Sequence, residues 1–310
     1  MSDDLKGKRC VVLGANGFIG SALTRRLLRE GAQVVACDRV QDFHSLSDHP
    51  LLECVTLDFL DEISVEEAVQ GADWVFHLIS TTKPASSNAN MAYDVQSNVI
   101  PSIHLFEACA RAGVQHVLFA SSGGTVYGVP EQVPVHEGMP CMPIVSYGLT
   151  KLTIEHYARL VEREHGLRVT SLRIGNPFGP GHRDQQQGVI PIFLRSARQG
   201  VPLQIWGDGS VVRDYIYIDD VAEAFCAAAR YRGPWRIFNI GSGEGRSLNE
   251  IVEALGSILG APPLIERHPA RPFDVPRLIL NIDRARQELG WHPQTAFDEG
   301  LRRTWKEIEA

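Results

Sequence analysis

The sequence predicts an α/β fold built on a doubly wound parallel sheet. Short apolar runs alternate with amphipathic segments through the first half of the chain. The first run ends in a glycine-rich turn, GANGFIG, which opens a helical pattern, and the second ends on a carboxylate, Asp38. Strands that are apolar along their length and separated by helices form a parallel sheet covered on both faces.

In chain order, Arg9 to Gly14 is a buried strand, and Phe18 to Arg29 carries apolar residues at helical spacing. Gln33 to Asp38, Glu53 to Asp58, Asp73 to Ser80, Gln115 to Ser122 and Arg168 to Gly175 are further strands. Helices fill Ser64 to Gln70, Val95 to Ala112 and Ser146 to His165. After Asn176 proline and glycine cluster, in NPFGPG and GVIPIF, and the pattern breaks into short strands and scattered helices. YIYIDDVAEAFCAAAR returns to the first unit as strand and helix, Ile237 to Gly241 is another strand, and the segment after Leu248 is mostly helical. Residues 1–175 with returning segments about 214–241 therefore form a Rossmann domain. Residues 176–213 and 242–310 form a smaller mixed α/β domain for substrate.

Composition sets the outer limits. The chain has 310 residues, 44% apolar and 22% charged, which suffices for a large core without disulfides. Its net charge of −7 is spread along the chain, which argues against a nucleic-acid-binding face. Six cysteines show neither CxxC pairs nor metal spacing, so no metal site is expected and most read as core residues in a reduced compartment. MSDDLKGK leads into no apolar signal region, and no run approaches the length of a membrane span. The expectation is a cytoplasmic protein with no membrane insertion.

Gly14, Gly17 and Gly20 carry the first chemistry, with Phe18 and Ile19 opening the helix between them. Glycines let a backbone approach a diphosphate, and the free N–H groups of the following helix face its charge. Asp38, at the end of the second strand, suits the hydroxyls of an adenosine ribose and repels a 2′-phosphate. NAD is the expected cofactor, with Arg39 leaving NADP open. A structural turn beside a surface aspartate is the bland alternative.

SYGLTK places Tyr147 and Lys151 four residues apart on one helix face. A phenol near pKa 10 is a poor base at neutral pH. An ammonium beside it favours the phenolate. The phenolate then takes a proton from a sugar hydroxyl as hydride leaves the same carbon. Alone, such a pair is commonly a solvated tyrosine and lysine. Following a dinucleotide fingerprint, it reads as chemistry.

GANGFIG, Asp38, Asp58, SSGGTVYG, SYGLTK and NPFGPG together resemble the extended short-chain dehydrogenase/reductase family. Within it the chain is most similar to NAD-dependent nucleotide-sugar epimerases and dehydratases, above all UDP-glucose (UDP-galactose) 4-epimerases. The resemblance implies Asp58 and Phe59 at the adenine, Leu78 and Ile79 along the cofactor, Asn98 near its ribose and Ser121 at the strand end beside it. HLISTTKPA departs from the family, and its Lys83 reaches either the cofactor or sugar, or only solvent. The resemblance also places Asn176 near the substrate diphosphate, Gln204 and Trp206 at a uracil ring, Arg213 and Arg271 on the diphosphate, and Asp274 on the uridine ribose. Guanidinium forks suit phosphate oxygens. Trp206 as a core residue is the other reading. Family members dimerise through two helices per subunit, matched here by Val95 to Ala112 and Ser146 to His165, so a homodimer is expected.

The related dehydratases and decarboxylases place acids just before VYG, where this chain has Gly124 and Thr125. Elimination needs an acid and base beyond the hydride machinery, so both activities are disfavoured. Epimerisation of a UDP-hexose at C4 through a 4-keto sugar is the expected reaction, as plain hexose, N-acetyl or uronate form. The alternatives are an NAD(P)H-dependent 4-keto reductase and a non-catalytic NAD sensor. One gap stands in the motif: the epimerases usually have Ser or Thr where this chain has Gly123. If the strand stays extended past Gly124, Thr125 shares that face and is the candidate catalytic hydroxyl, while Ser122 faces away.

Overall fold

The computed structural model describes residues 5–40, 43, 46, 48–271 and 275–309. β1 (Arg9–Leu13), α1 (Phe18–Arg29), β2 (Gln33–Asp38), β3 (Leu52–Thr56), α2 (Glu62–Ala68) and β4 (Trp74–His77) come first. α3 (Met91–Asp94), α4 (Ile100–Arg111), β5 (His116–Ser122), α5 (Ser146–His165) and β6 (Arg168–Ile174) follow. Next are β7 (Asn176–Phe178), α6 (Val189–Gln199), β8 (Leu203–Trp206), β9 (Val212–Tyr217), α7 (Ile218–Arg230) and β10 (Ile237–Ile240). The chain ends with β11 (Gly245–Ser247), α8 (Leu248–Leu259), β12 (Ile265–His268), α9 (Asp283–Leu289) and α10 (Phe297–Glu309).

A seven-stranded sheet runs in the order β10-β6-β5-β4-β1-β2-β3. Every neighbouring pair in it is parallel. Successive residues of its central strands feed opposite cores. Cys10, Val12, Trp74, Phe76 and Leu118 pack with Leu23 and Leu27 of α1 and Phe225 of α7. Val11, Leu13, Val75, Val117 and Phe119 pack with Val65 of α2, Phe106 of α4 and Ile154 of α5. Both faces are covered, which is why these strands read as continuous apolar runs. β3 differs: it is the sheet edge, with Glu53, Cys54 and Thr56 exposed. A three-stranded sheet, β11-β9-β7, and a two-stranded pair, β12-β8, are built from the later segments.

Two helices depart from the expected ranges for local reasons. α2 starts at Glu62 because the Asp61 carboxylate accepts the Ile63 N–H and caps it there. The expected helix from Val95 to Ala112 begins instead as α3, widens into a π turn at Val95–Val99, and continues as α4. Pro101, in the first turn of α4, has no N–H to give the ladder. The Ser97 and Ser102 hydroxyls each bond a carbonyl four residues back, at 2.6 Å. All six cysteines are free, and Cys10, Cys37, Cys109 and Cys226 are buried. No helix among the described residues is long and apolar enough to cross a membrane.

Candidate functional site

A cleft of about 540 Å³ opens at the carboxyl ends of β1, β4, β5 and β6. It lies where the strand order reverses between β1 and β4, the usual crevice of such sheets. Gly14, Gly17, Phe18, Ile19 and Gly20 form one wall. A Cβ on Gly20 would sit 2.0 Å from the Gly14 carbonyl oxygen, so only glycine lets α1 approach β1 this closely. Gly17 is the N-cap of α1 and offers no side-chain cap, which leaves the first N–H groups of the helix facing the cleft. The cradle fits a dinucleotide diphosphate. Asp38 accepts the Asn16 N–H at 3.0 Å and so fixes the glycine turn. Arg39 and Asp58 are exposed and Phe59 is buried. Leu78 lines the cleft, whereas Asp38, Arg39, Asp58, Phe59 and Ile79 stand outside its described wall.

Tyr147 and Lys151 both reach the cleft from α5. The Lys151 ammonium is buried, donates to the Ala120 carbonyl at 2.9 Å, and lies 5.6 Å from the Tyr147 ring centre. Burial pulls its pKa down to about 8, against the opposing pull of the Asp94 and Glu155 carboxylates. Burial pushes the Tyr147 phenol up to about 12; the Ser80 hydroxyl lowers it and Asp94 raises it further. Desolvation therefore raises the phenol, contrary to the depression expected from the lysine. Val145, at the N-cap of α5, gives no side-chain cap. Ser87 instead accepts the Tyr147 N–H at 3.0 Å, and Asn88 accepts the Ser146 N–H at 2.7 Å. The first turn of α5 is therefore capped from a segment remote in sequence.

The SSGGTVYG segment does not stay extended. β5 ends at Ser122, and the Thr125 and Val126 N–H groups both turn back to the Ser122 carbonyl. A Cβ on Gly123 would lie 2.7 Å from Leu280 Cδ1 and 2.9 Å from the Arg173 carbonyl oxygen. Position 123 thus points into the protein body, where no hydroxyl could serve the cleft. Strand alternation fails here, and Ser122, expected to face away, lines the cleft together with Thr125. Thr125 Oγ1 is buried with no protein partner among the described residues, which suits a ligand hydroxyl. Ser121 touches the cleft, but its hydroxyl donates to Glu155.

Of the expected substrate residues, Asn176, Arg213 and Arg271 line the cleft. Arg271 lies 3.8 Å over the Trp206 ring, which also stacks on His268. Trp206 and Gln204 stand behind this wall on β8, and the Gln204 amide is engaged with Glu266 and His268. The Asn98 amide is committed to Thr81 and Asp94. Lys83 pairs with Asp184 and joins the loop after β4 to the loop before α6. Asp274 lies outside the described residues.

Ser80, Asp94 and His182 lie outside the expected set. His182 lines the cleft with its ring edge-on to Phe18 at 4.6 Å. The run STTKPASSN, dense in hydroxyls and amides just after an apolar strand, was the available signal for the first part of this set. No aspartate or glutamate is among the described residues lining the cleft.

Fold and cleft together define a dinucleotide-binding protein equipped for proton and hydride transfer. The chain belongs to the NAD dependent epimerase/dehydratase family, whose description matches residues 10–241. It is 36% identical over 303 residues to a UDP-glucose 4-epimerase of Mycolicibacterium smegmatis, covering 96% of this chain and 97% of that one. It is 34% identical to a dTDP-4-dehydro-6-deoxyglucose reductase of Escherichia coli, covering 98% and 99%. The UDP-glucose 4-epimerase of Thermotoga maritima, solved with UDP-glucose, superposes with a TM-score of 0.91 at 33% identity, covering 97% and 98%.

Proposed function

We propose that this protein epimerises a UDP-hexose at C4, with NAD as a resident cofactor. The observation that carries the reading is the single cleft that holds the glycine cradle, Tyr147 with Lys151, and the Arg213 and Arg271 guanidiniums. Gly14, Gly17, Phe18, Ile19 and Gly20 would hold the cofactor diphosphate, Asp38 the adenosine ribose, and Asp58, Phe59 and Leu78 the rest of its length. When bound, NAD supplies the hydride acceptor and donor. Tyr147 takes the proton of the 4-hydroxyl and later returns it. Thr125 hydrogen-bonds the 4-oxygen. Arg213, Arg271, Asn176 and Asp274 anchor the UDP while the 4-keto sugar turns over, and Trp206 supports the uracil end. The same reading divides the chain into 1–175 with 214–241 for cofactor and 176–213 with 242–310 for the nucleotide sugar.

A dehydratase or decarboxylase needs a further acid, and the described cleft wall carries no carboxylate. The test is anomeric proton NMR on purified protein, without added reductant, given UDP-glucose, UDP-N-acetylglucosamine or UDP-glucuronate. Conversion of one of them is expected; no conversion of any would sink the reading. The Escherichia coli relative favours a second reading, a 4-keto reductase. It would consume NAD(P)H in equal amount to a keto-sugar substrate, which absorbance at the dihydronicotinamide band distinguishes.

A cytoplasmic homodimer is part of the proposal. Leu149, Tyr157 and Leu160 form an exposed apolar stripe on α5, beside exposed Met91, Tyr93, Val95 and Ile100. That area suits a second copy of the same helices.

A further inference from the structure

We propose that Asp94 is a positioning residue that holds the first turn of α5 in place and sets a carboxylate beside the Tyr147 and Lys151 pair. The inference rests on the reading of Tyr147 and Lys151 as the proton-transfer pair. Asp94 is the last residue of α3 and is fully buried. Three segments converge on its carboxylate. Thr82, from the loop after β4, donates at 2.5 Å, Asn98 in the π turn at 2.9 Å, and Ser146, next to Tyr147, at 2.7 Å.

None of these donors is a cation. Among the described residues no lysine, arginine or histidine forms an ion pair with Asp94 within 4.0 Å. A buried carboxylate in that state is costly unless a nearby charge answers it. Lys151 follows the bonded Ser146 along α5, and of the two carboxylates opposing its desolvation Asp94 is the larger influence. Glu155, the other, is already engaged by Arg173 at 2.7 Å and by Ser121. The groups facing Lys151 are therefore Asp94 from α3, Tyr147 and Glu155 on its own helix, with Arg173 of β6 behind Glu155, and His77 of β4. Burial holds His77 far below its ordinary range, so it is neutral. Asp94 also raises the Tyr147 phenol. Removing its charge lowers both partners together.

The test is Asp94→Asn, which keeps size and most hydrogen bonds and deletes the charge. The pH window of turnover should move toward acid by about one unit. In protein labelled at lysine 13Cε, the Lys151 signal, assigned by its loss in Lys151→Met, should titrate at lower pH by a similar amount. That second reading needs no substrate: if it moves while no UDP-sugar is turned over, the inference stands and the proposed activity falls. Thr82→Val, which weakens the same cluster but keeps the charge, should leave both midpoints in place. If Asp94→Asn does not fold, Ser146→Ala cuts the tether alone, and kcat should fall several-fold at unchanged KM. An unmoved pH window and Lys151 titration in folded Asp94→Asn, or unchanged kcat in Ser146→Ala, would overturn the inference.

Discussion

Tyr147 and Lys151 are displaced in opposite directions by one cause, the removal of water. Tyr147→Phe should keep its fold and lose about 10²- to 10⁴-fold in turnover, the usual worth of a positioned acid–base group. Lys151 has a pKa near 8 in the folded protein against 10.5 for the ordinary side chain. The unfolded chain thus binds the extra proton between those values, and the lysine's stability cost is relieved as pH rises through them. Lys151→Met should accordingly be more stable than the parent below pH 8. That advantage should shrink by on the order of 3 kcal/mol by pH 10.5, read as denaturant midpoints of the two proteins across pH. At the strand end, Thr125→Val should lower kcat by about tenfold or more and Ser122→Ala by less, since Thr125 alone has a buried, unpartnered hydroxyl. The reverse order would give the role to Ser122. The hydroxyl question was legible from SSGGTVYG; its answer was not, because a turn at Gly123 swings the chain in a way that residue alternation cannot express.

Among elements, α5 shows how far a local pattern reaches. Its span is the expected Ser146 to His165, and Gly166 closes it as a left-handed C-cap. Its start was not explained by its own sequence, since the capping groups are Ser87 and Asn88. Ser87→Ala should cost about 1 kcal/mol of stability by thermal or denaturant melting, with a drop in kcat as the Tyr147 turn frays. The loops on either side of the cleft are tied by Lys83 and Asp184. Lys83→Glu or Asp184→Lys should speed release of bound NAD severalfold, and the double exchange should restore retention. Release rates that ignore the charge pattern would assign the pair no part in closing the cleft. The π turn between α3 and α4 escaped the sequence reading because a proline and two hydroxyls redirect backbone bonds without disturbing the apolar period.

For the whole molecule, the expected homodimer is directly testable. Leu149→Glu with Leu160→Glu should convert a dimer to a monomer in light scattering after gel filtration, with the fold intact by circular dichroism. A parent that is already monomeric would dismiss the stripe as an interface. The doubly wound sheet was legible because its central strands are buried on both faces and so are apolar throughout, and only the edge strand β3 broke that rule. Residue order alone was enough to place the glycine cradle, Asp38, and Tyr147 with Lys151, because each depends on neighbours a few positions away along one strand, turn or helix. The side chains that brace the cleft from behind could be found only in three dimensions. Asp94 meets Ser146 across 52 positions of chain, and Lys83 meets Asp184 across a still longer gap. Such meetings follow from how the sheet orders its strands and how loops fold over its carboxyl edge, and burial then sets the charge of whatever they enclose.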